Sequence, residues 1–223
     1  HDVCLQQLPV VFAVDRAGIV GEDGSTHQGL FDCSYLRNLP GLIMMAPKDE
    51  NELRHMLKTA LACAAPVSIR YPRGKGLGVL LDGEAAVLPI GQGEVLHEGS
   101  DLAIVALGAT VLPALAAARR LAEEGIGVRV INARFIKPLD KELLLAAASA
   151  TGKILTVEEN VLAGGFGSAL LELFAENGVA GVQVRRLGIR DQFVEHATQA
   201  ELRAIHDIDE AGILAAARGM LRQ

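Results

Sequence analysis

Short apolar runs alternate along this chain with segments of helical periodicity, and that alternation admits few folds. Residues 10–14, 42–45 and 66–71 are rich in Val, Ile, Leu and Met, and the first run stops at the polar pair Asp15 and Arg16. Runs this short and this apolar suit strands buried on both faces. Between the second and third lies DENELRHMLKTALACA, where Leu53, Met56, Leu57, Ala60 and Leu61 fall on one helical stripe. Asp49 is placed to cap that helix, with Glu52 as its capping-box partner and Glu50 and Arg54 as an i,i+4 ion pair.

A second series follows. Residues 102–107 predict a strand and 110–124 an Ala/Leu helix closed by Gly125. Strands at 128–131, 154–157 and 182–187 alternate with helices at 141–150 and 168–175, and two short helices end the chain. Strands alternating with amphipathic helices predict the α/β class, here as two α/β units with parallel or mixed sheets. The stretch from Arg73 to about Ile90 is Gly-rich, keeps no period, and reads as an interdomain linker with an extended segment. The expected division is 1–78, a linker over 79–95, and 96–223.

Composition narrows the function classes. Half of the residues are hydrophobic but only 4% are aromatic, so the core must be built from Ala, Val, Leu and Ile. A net charge of -6 argues against a nucleic-acid binder that works by neutralising phosphates. No apolar run reaches the ~18 residues needed to span a bilayer. Cys4, Cys33 and Cys63 are widely spaced, with no CxxC or Cys/His cluster, so neither a zinc site nor a disulfide framework is expected. A reducing cytoplasm is the simplest setting. The chain opens at His1 with HDVCLQQLP, which looks like the tail of a helix, so the sequence reads as a fragment or a processed product.

In open α/β sheets, ligands bind outside the carboxyl ends of strands. The loop after the first strand, DRAGIVGEDGSTHQG, gathers Arg16, Glu22, Asp23, Thr26 and His27 among four glycines. A long polar loop inside a compact domain is more often functional than idle. His27 is its natural proton carrier near neutral pH, and Asp23 is able to bond a hydroxyl or orient an imidazole. After the third strand, Arg73 lies among Gly74, Lys75 and Gly76, a guanidinium fork suited to phosphate or carboxylate. If those strands are neighbours, His27 and Arg73 share a rim. Plainer roles stand beside these. On pattern alone His27 is also read as a surface or structural residue, Asp15 and Asp23 as acceptors for loop N–H groups, Arg16 as the partner of an adjacent acid, and Arg73 as part of a solvated turn.

The segment TVEEN followed by GGFG fails the dinucleotide fingerprint, because Leu170 occupies the third small position, and it reads as a closely packed helix start. Glu158 and Glu159 are expected at an interface or rim rather than as a catalytic pair. His55 and His97 are expected to be exposed, and His196 lies within reach of a neighbouring site.

These motifs resemble a known family. FAVDRAGIVGEDGSTHQGLFDCSYLR, MAPKDENELRHML and IRYPRG resemble the later half of the pyrimidine-binding domain of 1-deoxy-D-xylulose-5-phosphate synthases. INARFIKPLD, TVEENVLAGGFGSALLE and FVEHATQAELR resemble their transketolase-type C-terminal domain. The resemblance implies an enzyme that decarboxylates pyruvate on thiamine diphosphate and adds the resulting carbanion to D-glyceraldehyde 3-phosphate. Its product feeds isoprenoid, thiamine and pyridoxal synthesis. His27 matches the family's active-site histidine, Asp23 the acid that contacts acceptor hydroxyls, and Arg73 the arginine that holds the acceptor phosphate. Arg16 matches a substrate-side arginine of the loop. The family's magnesium and diphosphate motif and its cofactor-activating glutamate do not occur in this sequence, so no cofactor or metal ligand is assigned to it. The resemblance therefore implies that thiamine diphosphate and Mg2+ are held upstream, that the chain alone is inactive, and that it needs an N-terminal portion. The complete enzyme would be a homodimer of the cytoplasm, or of the plastid stroma in a plant. A transketolase, a 2-oxo-acid dehydrogenase beta chain and a non-catalytic α/β module are the competing readings.

Overall fold

The computed structural model describes residues 1–222. In chain order the first region runs α1 (Asp2–Leu5), β1 (Val11–Val14), α2 (Asp32–Leu36), β2 (Ile43–Met45), α3 (Glu50–Ala62) and β3 (Val67–Arg70). The second runs β4 (Glu94–His97), β5 (Leu102–Ala106), a 3-10 turn (Gly108–Thr110), α4 (Val111–Glu123), β6 (Val128–Asn132) and β7 (Phe135–Lys137). It continues with α5 (Lys141–Thr151), β8 (Lys153–Val161), α6 (Phe166–Glu176), β9 (Gln183–Ile189), α7 (Gln199–Ile205) and α8 (Glu210–Leu221). No helix among the described residues is long and apolar enough to cross a membrane.

Two sheets result. The five-stranded sheet has the order β4-β6-β5-β8-β9, all parallel except β4, which runs antiparallel to β6. Its central strand β5 is buried throughout. Leu102, Ile104 and Ala106 point into one core with Val111, Ala118 and Leu121 of α4 and Ile213 and Ala217 of α8. Ala103 and Val105 point into the other, with Leu144 and Ala148 of α5 and Phe166 and Leu170 of α6. Small side chains let the helices lie close on both faces, so the scarcity of aromatics leaves no packing deficit there.

The four-stranded sheet has the order β1-β3-β2-β7. The first three strands are parallel, as the sequence predicts, but β7 belongs to the later part of the chain and runs antiparallel to β2, with Met44 opposite Lys137 and Met45 opposite Phe135. One face packs on α3 through Met45, Met56, Ala60, Val67, Ile69 and Phe135. Met44 on the other face joins the second core described above. At the far edge β1 pairs only with β3 and is largely exposed, with Phe12 39% accessible. The expectation of strands buried on both faces therefore holds for β3 and fails for β1, because among the described residues nothing packs on its outer edge.

The segment between the sheets is not slack. It runs along α3, where Glu50 accepts the N–H groups of Leu77, Gly78 and Val79, and the Thr59 hydroxyl accepts that of Leu88. His55, expected to be exposed, is buried here. It accepts the Ala86 N–H at Nδ1 and bonds Asp82 through Nε2. His97 is half-buried against the Val128 carbonyl. The predicted pair of Glu50 with Arg54 does not form, since Arg54 reaches Asn51 and the carbonyls of Asp82 and Gly83. Asp49 does cap α3. Glu52, however, turns inward, accepting from Lys48, Asn132 and Arg134 in a buried cluster that joins the two regions.

Candidate active site

β1 and β3 are direct parallel neighbours with Val14 opposite Arg70, so the two loops singled out in the sequence leave the same edge of one sheet. The first loop is held from several sides. Gly18 and Gly29 exchange backbone hydrogen bonds at 2.7 and 2.9 Å, and a Cβ at Gly18 (φ +83°) would run into the Glu159 carboxylate. Gln28 accepts the N–H of Val20 at 2.7 Å and donates to the carbonyls of Gly21 and Glu195. Ile19 and Leu30 are buried in the core of the five-stranded sheet, so the loop is built on both regions at once. Glu159 Oε2 accepts the Ile19 N–H at 3.2 Å while its other oxygen pairs with Arg203 of α7.

The structure brings Asp23 and Arg73 together in a direct ion pair that ties one loop to the other. Both side chains remain about a third or more exposed, at 35% and 42%. An exposed pair of this kind is worth under about 1 kcal/mol, so a competing anion displaces Asp23 at little cost. Asp23 does not orient the His27 imidazole. That ring is exposed and, among the described residues, bonds only the Thr26 hydroxyl, at 3.0 Å from Nδ1. His27 is nevertheless on the same tight turn, its N–H donating to the Gly24 carbonyl one residue beyond Asp23. His196 lies against that turn, its Cβ within 3.7 Å of where a side chain on Gly24 would begin. Arg16 pairs with Asp15 beside it and is not joined to Asp23, His27 or Arg73. A cavity of about 470 Å³ opens beside Arg73, lined by Tyr71, Lys75, Leu112, Gln199 and Arg203 among others. A wider, shallower depression of about 640 Å³ lies at the amino ends of the strands in the other sheet, bounded by Ser100, Asp101, Thr151 and Lys153. Strand polarity favours the first.

Several charged groups prove structural. Arg70 is buried, with its guanidinium on Asp32 at 2.6 and 3.0 Å and on the Glu159 carbonyl at 3.1 Å. Burial pushes the neighbouring Cys33 thiol up, which leaves it inert as a nucleophile. Glu158 and Glu159 are interior rather than at a rim. Glu158 accepts the N–H groups of Phe166 and Gly167 at 2.7 and 2.8 Å, and burial pushes its carboxyl up to about 7. A Cβ at Gly167 would sit 2.7 Å from the Thr156 hydroxyl, so GGFG is the close packing its sequence suggests. Among the described residues no three His, Cys, Asp or Glu side chains are grouped to hold a metal ion.

Residues 91–213, more than half of the chain, match the transketolase C-terminal domain, and residues 1–77 match the transketolase pyrimidine-binding domain. The chain belongs to the transketolase family. Among transketolase-family proteins, the 1-deoxy-D-xylulose-5-phosphate synthase of Syntrophus aciditrophicus is 64% identical over 99% of this chain and 34% of its own length. The 1-deoxy-D-xylulose-5-phosphate synthase 1 of Geobacter sulfurreducens is also 64% identical, over 99% of this chain and 35% of its own length. The chain thus spans about a third of the length of these curated relatives. A solved structure described as a split gene transketolase, an inactive beta4 tetramer, superimposes with a TM-score of 0.86 at 34% identity, over 98% of this chain and 69% of that one. A Pichia stipitis transketolase mutant, 22% identical, matches in fold with a TM-score of 0.76 over 98% of this chain and 31% of that one.

Sequence reasoning missed the groups that shape this site. Gln28 stood inside the THQG motif and was open to notice as a lone amide in a glycine-rich loop. Glu159 and Gln199 carry no local signal, since their partners lie 140 and 180 residues away.

Proposed function

We propose that this chain is the later third of a thiamine-diphosphate-dependent synthase that condenses pyruvate with D-glyceraldehyde 3-phosphate, releasing CO2 and forming 1-deoxy-D-xylulose 5-phosphate. The reading rests on one geometric observation: Asp23 and Arg73, from loops on adjacent strands, meet at the carboxyl edge of one sheet, with His27 on the same turn. It is supported by 64% identity to synthases of that description. Thiamine diphosphate, with Mg2+, supplies the carbanion chemistry when bound to the complete enzyme, and its principal ligands belong to the portion upstream. Arg73 holds the acceptor phosphate as a bidentate fork. The phosphate takes the place of Asp23, which is then free to accept from an acceptor hydroxyl. His27, exposed at the rim, donates to substrate oxygens or moves protons there. Arg16 adds positive charge at the mouth of the loop.

The complete enzyme is a cytoplasmic homodimer in this reading. The open edge of β1 and the apolar groove of about 440 Å³ beside it, lined by Phe12, Val14, Tyr35 and Leu39, favour association with an upstream portion. On its own the polypeptide is expected to be inactive, and product formed from it with thiamine diphosphate, Mg2+ and both substrates would refute that.

Two substitutions in the full-length protein test the assignment. His27→Ala is expected to lower kcat by roughly 10²–10⁴. Arg73→Ala is expected to raise the KM for D-glyceraldehyde 3-phosphate while leaving that for pyruvate unchanged. Unaltered turnover and acceptor KM in both would make the region a non-catalytic module. Turnover with a ketose donor in place of pyruvate would assign it to a transketolase.

A further inference from the structure

We propose that Gln199, the first residue of α7, is a positioning residue that sets the spacing between the two loops of the acceptor site. The inference rests on the functional reading above. The Gln199 side-chain nitrogen carries two hydrogens and spends one on each loop, donating to the Ile19 carbonyl at 2.8 Å and the Arg73 carbonyl at 3.0 Å. Apart from the loops' own Asp23–Arg73 contact, no other side chain among the described residues bonds to both. At their roots the loops share a main-chain bond from the Ala17 N–H to the Tyr71 carbonyl at 3.0 Å, but further out the Asp23–Arg73 ion pair must open for the acceptor phosphate and cannot hold Arg73 in register while that phosphate binds. Gln199 holds them through the main chain, so its hold persists when Asp23 lets go.

Its own placement is fixed. Thr198 caps α7 by accepting the Glu201 N–H, and Glu201 reaches back to the Thr198 N–H at 3.0 Å. Arg203, one turn on, pairs with Glu159, whose carboxylate also takes the Ile19 N–H. Gly21 (φ +93°) leaves room for the Gln199 side chain, since a Cβ there would lie 3.3 Å from Gln199 Cγ and 3.0 Å from the Ala197 carbonyl. Ile19 is thus held at both its N–H and its carbonyl by groups from the five-stranded region. Gln199 offers no group to the reacting atoms. It acts through Arg73, and its influence falls on how well the phosphate is held.

The test uses the full-length protein carrying this chain, with Gln199→Ala and Gln199→Met, the second preserving volume without the donors. Both are expected to raise the KM for D-glyceraldehyde 3-phosphate roughly tenfold, as loss of one or two neutral hydrogen bonds would. The pyruvate KM and kcat should stay within about twofold. With unphosphorylated D-glyceraldehyde as acceptor the effect should vanish, and in an Arg73→Ala background Gln199→Met should add nothing further. An unchanged acceptor KM in both variants, an equal rise for pyruvate, or additivity with Arg73→Ala would overturn the inference. Failure of both variants to fold would make Gln199 a folding residue and overturn it equally. If Arg73→Ala alone leaves the acceptor KM untouched, the functional reading itself falls; if Arg73→Ala raises it and Gln199→Met does not, only the role of Gln199 falls.

Discussion

The two sheets are written in the same sequence grammar and end in different physical states. In the five-stranded sheet, β5 and most of β8 are buried on both faces, with helices closing each side. In the four-stranded sheet, β3 is sealed, β1 is open along one edge, and one of the four strands is contributed by the later part of the chain. An apolar run specifies a strand in both. Whether that strand is then covered depends on what else is present, and only the later region carries a full complement of covering helices. The region that bears the candidate site is thus the one that depends on others for its completion.

The largest expected effect lies where the regions meet. Arg70→Leu removes the partner of Asp32, and burying that carboxylate unpaired should cost about 3–5 kcal/mol in urea unfolding. A loss below about 1 kcal/mol would mean that the open sheet does not depend on this anchor. Next, Ile104→Ala in the sealed sheet should cost about 2–5 kcal/mol, whereas Phe12→Ala on the open edge should cost under about 1 kcal/mol. Equal costs would break the comparison. A larger cost for Phe12→Ala in the full-length protein than in this chain would sharpen it, by showing that the edge is covered there. A pH-dependent effect is confined to the later region. Glu158 has its carboxyl raised from the ordinary 4.5 to about 7, so its favourable contribution is fully present below about 4.5 and is lost as pH rises through 7. Relative to Glu158→Gln, the parent should lose up to about 3 kcal/mol across that window. A flat difference in thermal midpoint between pH 4.5 and 7.5 would mean that the two N–H donors outweigh burial.

The same contrast explains what could be read in advance. The strand at 102–107, the helix at 110–124 and the helix at 141–150 appear within a residue of their expected bounds, because each is long or apolar enough for local pattern to decide. β7 was not legible. Phe135–Lys137 is three residues long and becomes a strand only through Met44 and Met45, ninety residues earlier. β4 straddles the end of the segment read as linker, and α2 was hidden inside a long loop. His55 looked exposed because helical periodicity does not reveal that another segment of chain will lie across it. In the candidate site, Asp23, His27 and Arg73 announced themselves by residue type among glycines. Gln199 did not, since a glutamine after a helix cap looks like any solvated residue until the fold brings two carbonyls to it.

The strand lent by the later region has a mechanical consequence. Covalent order and physical order do not coincide in this molecule, because Phe135–Lys137 is stitched into a sheet whose other members all precede residue 71. A single protease nick near Gly83 would therefore sever the polypeptide without releasing two particles. The halves would remain clasped by the β2–β7 ladder and the buried Glu52 cluster, and would behave as complementing fragments rather than as independent modules.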